Sequence, residues 1–474
     1  MLNRFWTNSE IFHGKSLTKP SEWLLNLLIL FSTISFVSMW IVGQYLQISL
    51  VDLMSFNASD PSWVPEGSEM NPAVGVHYFG DYVLGRAWSI HPDPYHVMLP
   101  AYPPISLLLF KPFALLPYTA GLVAYFIVSI AVFVGAIFAW LSHLPVYVRM
   151  ISSGLLAIAS FPSLVALDRG NQVYLMFGLV AWGFVFWKWK KFVLAGVVIG
   201  IAIGLKFYLL PILLPLLILG AKKIVFVAGG VSFVGSMLLW QTYPGGAVYN
   251  LNKSFQLAFS PTNPTGSGTP QFQIEQTTLS SAIIQIGSLA NGALQTFDSY
   301  DTSTLLRLLP LILWLLTSVV SSLQKQIPLA VSLTVVLSIS QHLSSNGIYS
   351  GLWAVVAGMV LLTSDLSITS RNDSNLSSKS KKLRTWLKSL AMGTVLMNLI
   401  ILPNFSYKID LDQETGWTLM LTQTLGPISL TVFEVAVMFI SVLLIQDNKS
   451  QSIRHESLHA SRDSLGEFIK RRHK

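Results

Sequence analysis

Residues 118–141 read YTAGLVAYFIVSIAVFVGAIFAWL, an apolar run without a single Asp, Glu, Lys or Arg. A helix that crosses the hydrocarbon of a bilayer needs roughly 20 such residues. Inside lipid every backbone N–H and C=O must be satisfied by the protein itself, which a helix does within its own segment. This stretch therefore sets the fold class, and the rest of the chain repeats its character. Further apolar runs fall at 23–43, 149–166, 173–187, 192–205, 207–220, 224–240, 304–322, 327–343, 348–364, 387–403 and 418–445. The pattern predicts an all-α, polytopic transmembrane bundle of about twelve helices spanning 23–445, between a segment 1–22 and a basic tail 446–474.

Composition agrees. Of the 474 residues, 52% are hydrophobic and 11% charged, and the mean hydropathy is +0.57. Soluble domains carry about 25% charged residues, so the polar shell of a soluble protein is missing. The net charge of +8 does not point to nucleic acid, because the basic residues sit in short connections between apolar runs and in the tail. There is no cysteine, which excludes disulfides, thiolate zinc sites and thiol catalysis. The first apolar run follows a polar lead and is long enough to remain as an anchor rather than a cleaved signal.

Charge also orients the chain. With the N-terminus in the cytoplasm, alternation places 23 of the 30 Lys and Arg residues inside and 7 outside, while 13 of the 22 acidic residues fall outside. This is the positive-inside bias of a plasma-membrane protein with both termini cytoplasmic. The tail then lies near anionic lipid headgroups. Two long outer segments result, 44–117 and 241–303. The first contains Asp52, Asp60, Glu66, Glu69, Asp81, Arg86 and Asp93, with His77, His91 and His96. Its apolar stretch 105–116 is too short to cross, and is expected to lie along the interface or to dip in and return. The second is rich in Gly, Pro, Ser and Thr over 260–270, a loop composition, with Thr278 to Leu289 as a candidate interfacial helix. Residues 192–220 are flanked by lysines on both sides and read as a tight hairpin of two short helices, with Lys206 near its outer tip. A snorkelling lysine at a helix end is the plainer reading of that position.

An outer carboxylate can act as a general base on a hydroxyl group. A lysine or arginine at the same depth can hold a lipid-linked phosphate as it leaves. Together they describe transfer of a group from a polyprenyl phosphate to a hydroxyl, without metal or cofactor. His77, His91 and His96 do not show a zinc spacing and read as rim or surface residues.

Gly80-Asp81-Tyr82, Pro94-Tyr95, Tyr102-Pro103-Pro104 and Lys111-Pro112-Phe113-Ala114-Leu115-Leu116-Pro117 together resemble the first outer loop of glycosyltransferase family 87, of the GT-C superfamily. Gly170-Asn171-Gln172-Val173, the stretch from Ala195-Gly196-Val197 through Gly204-Leu205-Lys206-Phe207-Tyr208 to Pro211, and Asn252-Lys253-Ser254 extend the resemblance, in order, over roughly 75–260. The resemblance implies a catalytic Asp at Asp81. Asp93, between two prolines, is the alternative and suits a turn equally well.

On this reading Lys206 contacts the donor phosphate, with Arg169 or Arg86 as a second cation, although Arg169 could equally pair with Asp168. Asn171 and Gln172 are candidates for sugar or phosphate contacts, with a helix-start role open for Asn171. Tyr82, Tyr102, His96 and Asn252 complete the expected substrate-binding set. The expected partners are a polyprenyl-phosphate-linked sugar, mannose before others, a lipid or glycan acceptor, and membrane lipids. The chain departs from the family pattern at Ser344-Ser345-Asn346-Gly347-Ile348-Tyr349-Ser350-Gly351, where a His pair is absent and His342 lies just upstream, leaving sugar and acceptor open. Glu434, inside the last apolar run, reads as protonated or hydrogen-bonded within the bundle, because few ionisable partners lie in other runs. A flippase or transporter of a lipid-linked saccharide, or a non-catalytic envelope partner, are the rival classes.

Overall fold

The computed structural model describes residues 79–97, 102–142, 144–259, 300–324, 327–342, 351–363, 377–399, 404–410, 415–420 and 425–447, with isolated positions of the first apolar run and Ser450. The expectations placed on 45–78, on the 260–270 loop, on Thr278 to Leu289 and on the tail beyond Ser450 lie outside the described residues.

From residue 79 on, three short helices lead: α1 (Gly80–Ile90), α2 (Pro94–Val97) and α3 (Pro104–Ala114). The bundle follows with α4 (Tyr118–Trp140), α5 (Val146–Ile158), α6 (Phe161–Asp168), α7 (Gln172–Lys188) and α8 (Phe192–Leu205). A 3₁₀ turn, Phe207–Ile212, leads into α9 (Leu213–Ile218), then α10 (Lys222–Gln241), which contains a π turn at Gly230–Val234. Next are α11 (Gly246–Phe259), α12 (Tyr300–Leu323), α13 (Leu329–Leu337), α14 (Ile339–His342), α15 (Trp353–Thr363) and α16 (Ser378–Leu399). Strands β1 (Asn404–Asp410) and β2 (Thr415–Met420) pair as an antiparallel ribbon before the final helix α17 (Leu425–Asp447). The helices α4, α10 and α17 are long and apolar enough to cross a membrane. Exposed apolar side chains such as Phe226, Leu238 and Phe439 on α10 and α17 suit a lipid surroundings.

Among the described residues each apolar run from 118 onward contains helix, but several of them are interrupted. The run 149–166 divides into α5 and α6 at Ala159-Ser160, because Pro162 has no N–H to continue the ladder and its ring crowds the preceding turn. The run 207–220 is a 3₁₀ turn and a short helix, with Pro211 and Pro215 inside it. The run 327–343 divides at Ser338. The run 418–445 becomes helical only at Leu425, since Thr415–Met420 pairs with β1. Within 241–303, residues 246–259 are helical as α11.

The centre of the bundle is α7, whose residues are buried on every side, as an all-round apolar helix requires. It packs between α4 and α8 and touches α15, which joins the earlier and later halves of the bundle. Buried indole N–H groups need acceptors, and Trp140 Nε1 donates across to Met359 O at 3.0 Å while Trp314 Nε1 donates to Val335 O at 2.8 Å.

What positions α8 is a row of small residues four apart. A Cβ on Gly196 or Gly200 would stand 2.6 Å or 2.7 Å from Val227 or Val231 of α10, and one on Gly204 would stand 2.5 Å from Ile105 of α3. Small residues at this spacing let helix backbones approach closely, which drives association where water is absent. The close approach runs to the last turn of α8 and so fixes the place where Lys206 leaves the helix. It also shows that α3 dips into the bundle, with Ile105, Leu107 and Phe110 buried.

Candidate active site

Asp81 opens α1, and two levels of bonding hold it to the turn between α6 and α7. Its backbone N–H donates to Arg169 O at 3.0 Å. Its carboxylate accepts from Arg169 Nε at 2.8 Å and from Asn171 Nδ2 at 2.7 Å, both at Oδ2. The second guanidinium contact, Arg169 Nη2 to Oδ1, is long at 3.5 Å, so Oδ1 is the less engaged oxygen. The turn closes because Gly170 takes φ +61, and a Cβ there would stand 2.7 Å from Tyr82 Cβ. Side chains rarely adopt that conformation, and the approach of α1 leaves no room for one.

Lys206 is brought to the same neighbourhood by the end of α8. It adopts extended backbone geometry, φ −147 and ψ 111, between α8 and the 3₁₀ turn. Its Nζ lies 4.0 Å from the centre of the Tyr102 ring, a cation–π contact. Burial pushes the Lys206 ammonium down to about 8; the Asp81 carboxylate opposes that fall and the Arg169 guanidinium reinforces it. The three charges thus form one electrostatic group. Among the described residues Lys206 makes no ion pair, while Asp81 and Arg169 offset each other.

The remaining expected residues divide. Gln172 accepts from Ser106 Oγ of α3, and its buried Nε2 has no hydrogen-bond partner among the described residues; it is next in sequence to Asn171, which bonds Asp81. Tyr102 lies under Lys206, and its carbonyl accepts from Tyr95 Oη at 3.1 Å. Asn171 has both ends of its amide engaged, since Oδ1 also accepts the N–H of Val173 at 2.9 Å and caps α7. The helix-start reading holds for it, joined to a grip on Asp81. Arg169 pairs with Asp81; the Asp168 side chain is outside the described ones.

Arg86 is bonded to the end of α3: its Nη1 donates to Leu116 O at 2.8 Å and Phe113 O at 3.4 Å. Tyr82 is fully buried among Phe110, Tyr118 and Tyr125 and serves as packing behind Gly170. His96 and Asn252 belong to a neighbouring surface. There His96 Nδ1 lies 2.7 Å from Asp93 Oδ1 and its ring stacks on Tyr249 at 4.5 Å, while Asn252 is exposed on α11. Asp93 therefore braces the start of α2.

Sequence reasoning missed Ser106, and Gly170 as the hinge of the site, although its place in Gly170-Asn171-Gln172 was the available signal. It also found almost no partner for Glu434. The structure supplies one, His342 Nε2 at 2.8 Å from Glu434 Oε1, joining residues distant in sequence. Among the described residues no group of His, Asp and Glu has the arrangement to hold a metal ion.

These features define a helical membrane protein with a largely buried carboxylate in the electrostatic reach of two cations, gathered where two helices break. The chain belongs to glycosyltransferase family 87, whose model matches residues 101–339, just over half its length. The matched stretch contains Tyr102, Arg169, Asn171, Gln172, Lys206 and Asn252 and begins beyond Asp81, Tyr82, Arg86 and His96. No curated relative and no solved structure matches it.

Proposed function

We propose that this glycosyltransferase works on the outer face of the plasma membrane, moving a sugar, mannose before others, from a polyprenyl-phosphate donor to a hydroxyl of a lipid-linked or glycan acceptor. The observation that carries this reading is the placing of Asp81, held by Arg169 and Asn171, in the electrostatic reach of Lys206.

The step is one in-line displacement with inversion. The acceptor oxygen attacks the anomeric carbon, its proton passes to the Asp81 carboxylate, and the carbon–oxygen bond to phosphate breaks with its electron pair staying on the phosphate. A donor phosphodiester with one negative charge becomes a monoester with two, while Asp81 goes from charged to neutral. Negative charge therefore moves from Asp81 toward the phosphate, where Lys206 stands to receive it. Arg169, released from a neutralised Asp81, can follow that charge. Gln172 Nε2, unpartnered among the described residues, offers a further donor to sugar or phosphate. Phosphate is a good leaving group once so stabilised, and no metal is required by this scheme.

Purified protein with radiolabelled polyprenyl-phosphate mannose and a membrane lipid extract tests the reading. Label should pass to acceptor, with release of polyprenyl phosphate, in the presence of EDTA, and Asp81→Asn should abolish both. Translocation of labelled lipid across reconstituted vesicles, with its sugar bond intact and no transfer, would instead identify a flippase.

A further inference from the structure

Two interruptions of helical backbone meet inside this bundle. The first is the break at Lys206 and the 3₁₀ turn Phe207–Ile212; the second is Ser338, between α13 and the single turn α14. The α14 turn packs against Phe207–Ile212. Irregular backbone within an apolar bundle persists only where protein groups or a wet cavity satisfy it.

Consecutive residues of α14 reach two different helices. Gln341 Nε2 donates to Asn398 Oδ1 of α16, and His342 Nε2 lies 2.8 Å from Glu434 Oε1 of α17. Ser338 Oγ, which donates to Val335 O at 2.8 Å, lies 3.4 Å from the same carboxylate oxygen, and Asn398 is itself tied to Thr394 O at 2.8 Å. Gln341, His342, Asn398 and Glu434 are each 5% exposed or less. A buried ionisable pair adds little stability over an apolar pair of the same volume, but losing one partner strands the other. Such a pair therefore fixes geometry more than it contributes stability. Among the described residues His342 Nδ1 and Glu434 Oε2 have no hydrogen-bond partner, and the tie of that imidazole is its contact with Glu434.

We infer that the Glu434–His342 pair, with the adjoining Gln341–Asn398 bond, is a positioning clasp that holds α14 against the Phe207–Ile212 turn and so sets where the Lys206 ammonium stands. As an account of catalysis it rests on the reading of Lys206 as the phosphate-binding cation; as an account of where Lys206 is held it does not. Both residues act through the turn and neither is assigned a contact with substrate.

The test uses the full-length protein in lipid nanodiscs, with acetic anhydride as an amine probe and peptide mass spectrometry reading each lysine. The double variant His342→Leu/Glu434→Leu keeps volume and leaves no stranded charge, and Glu434→Gln keeps a hydrogen-bonding partner for His342. In the Leu/Leu variant, the rate of Lys206 acetylation should change at least about threefold, upward through access or downward through a regained proton, while exposed Lys111 reacts at the unaltered rate, and donor KM should rise more than kcat falls. Glu434→Gln should restore Lys206 labelling toward the wild-type rate. Unchanged Lys206 acetylation in the folded Leu/Leu protein overturns the clasp, as does a Leu/Leu protein that fails to fold while Glu434→Ala folds with Lys206 labelled as in wild type. If the wild type shows no sugar transfer, the catalytic reading fails and the labelling result still decides the clasp.

Discussion

Arg169 meets Asp81 twice, through its guanidinium Nε at 2.8 Å from Oδ2 and through its carbonyl, which accepts the Asp81 N–H at 3.0 Å. One residue thus sets both the backbone and the side chain of the acid. A carboxylate so held points in one direction, which is what a base needs to meet a hydroxyl at the right distance.

Replacing Asp81 by Asn keeps size and much of the hydrogen bonding while removing basicity. Transfer should fall by about 10²–10⁴-fold, the usual worth of a general base. Thermal unfolding followed by tryptophan fluorescence should shift little. A variant with full turnover refutes Asp81 as the base.

Lys206 sets an upper pH limit. Burial holds its ammonium down at about 8, so the cation is present below that pH and lost above it. In the free enzyme kcat/KM for the donor should fall about tenfold per pH unit above pH 8, while kcat should persist to higher pH because bound phosphate stabilises the ammonium. Lys206→Arg, charged at all these values, should abolish the limb in any activity it retains. A profile for Lys206→Arg that matches the wild type removes Lys206 from the titration.

Gly170→Ala should be disproportionately harmful for a single methyl. The position has φ +61 and the added carbon meets Tyr82 Cβ at 2.7 Å. Strain of this kind costs about 1–3 kcal/mol, and here it acts on the turn that carries Arg169 and Asn171. Melting temperature and kcat should fall together; a neutral outcome would show that α1 can shift without disturbing Asp81.

Arg86 provides the contrast. Its hydrogen bonds to Leu116 O and Phe113 O, the shorter of them exposed, predict that Arg86→Met lowers stability by about 0.5–1.5 kcal/mol, the net range for an ordinary hydrogen bond. Donor KM in the protein that remains folded should be unaltered. A rise of tenfold or more in donor KM would return Arg86 to the phosphate site.

The sequence by itself determined that this chain is a bundle of apolar helices, because hydrocarbon thickness and the need to satisfy backbone groups leave few alternatives for runs such as 118–141. It also marked Asp81, Arg169, Asn171 and Lys206, since charge is scarce here and local motif order could be read. Tertiary structure decided what those residues touch. That Arg169 grips Asp81, that Arg86 bonds the end of α3, and that His342 finds Glu434 are contacts between residues 88, 30 and 92 positions apart. No local periodicity encodes such pairings: they follow from how helices pack, through glycine rows such as Gly196, Gly200 and Gly204 and breaks at Lys206 and Ser338.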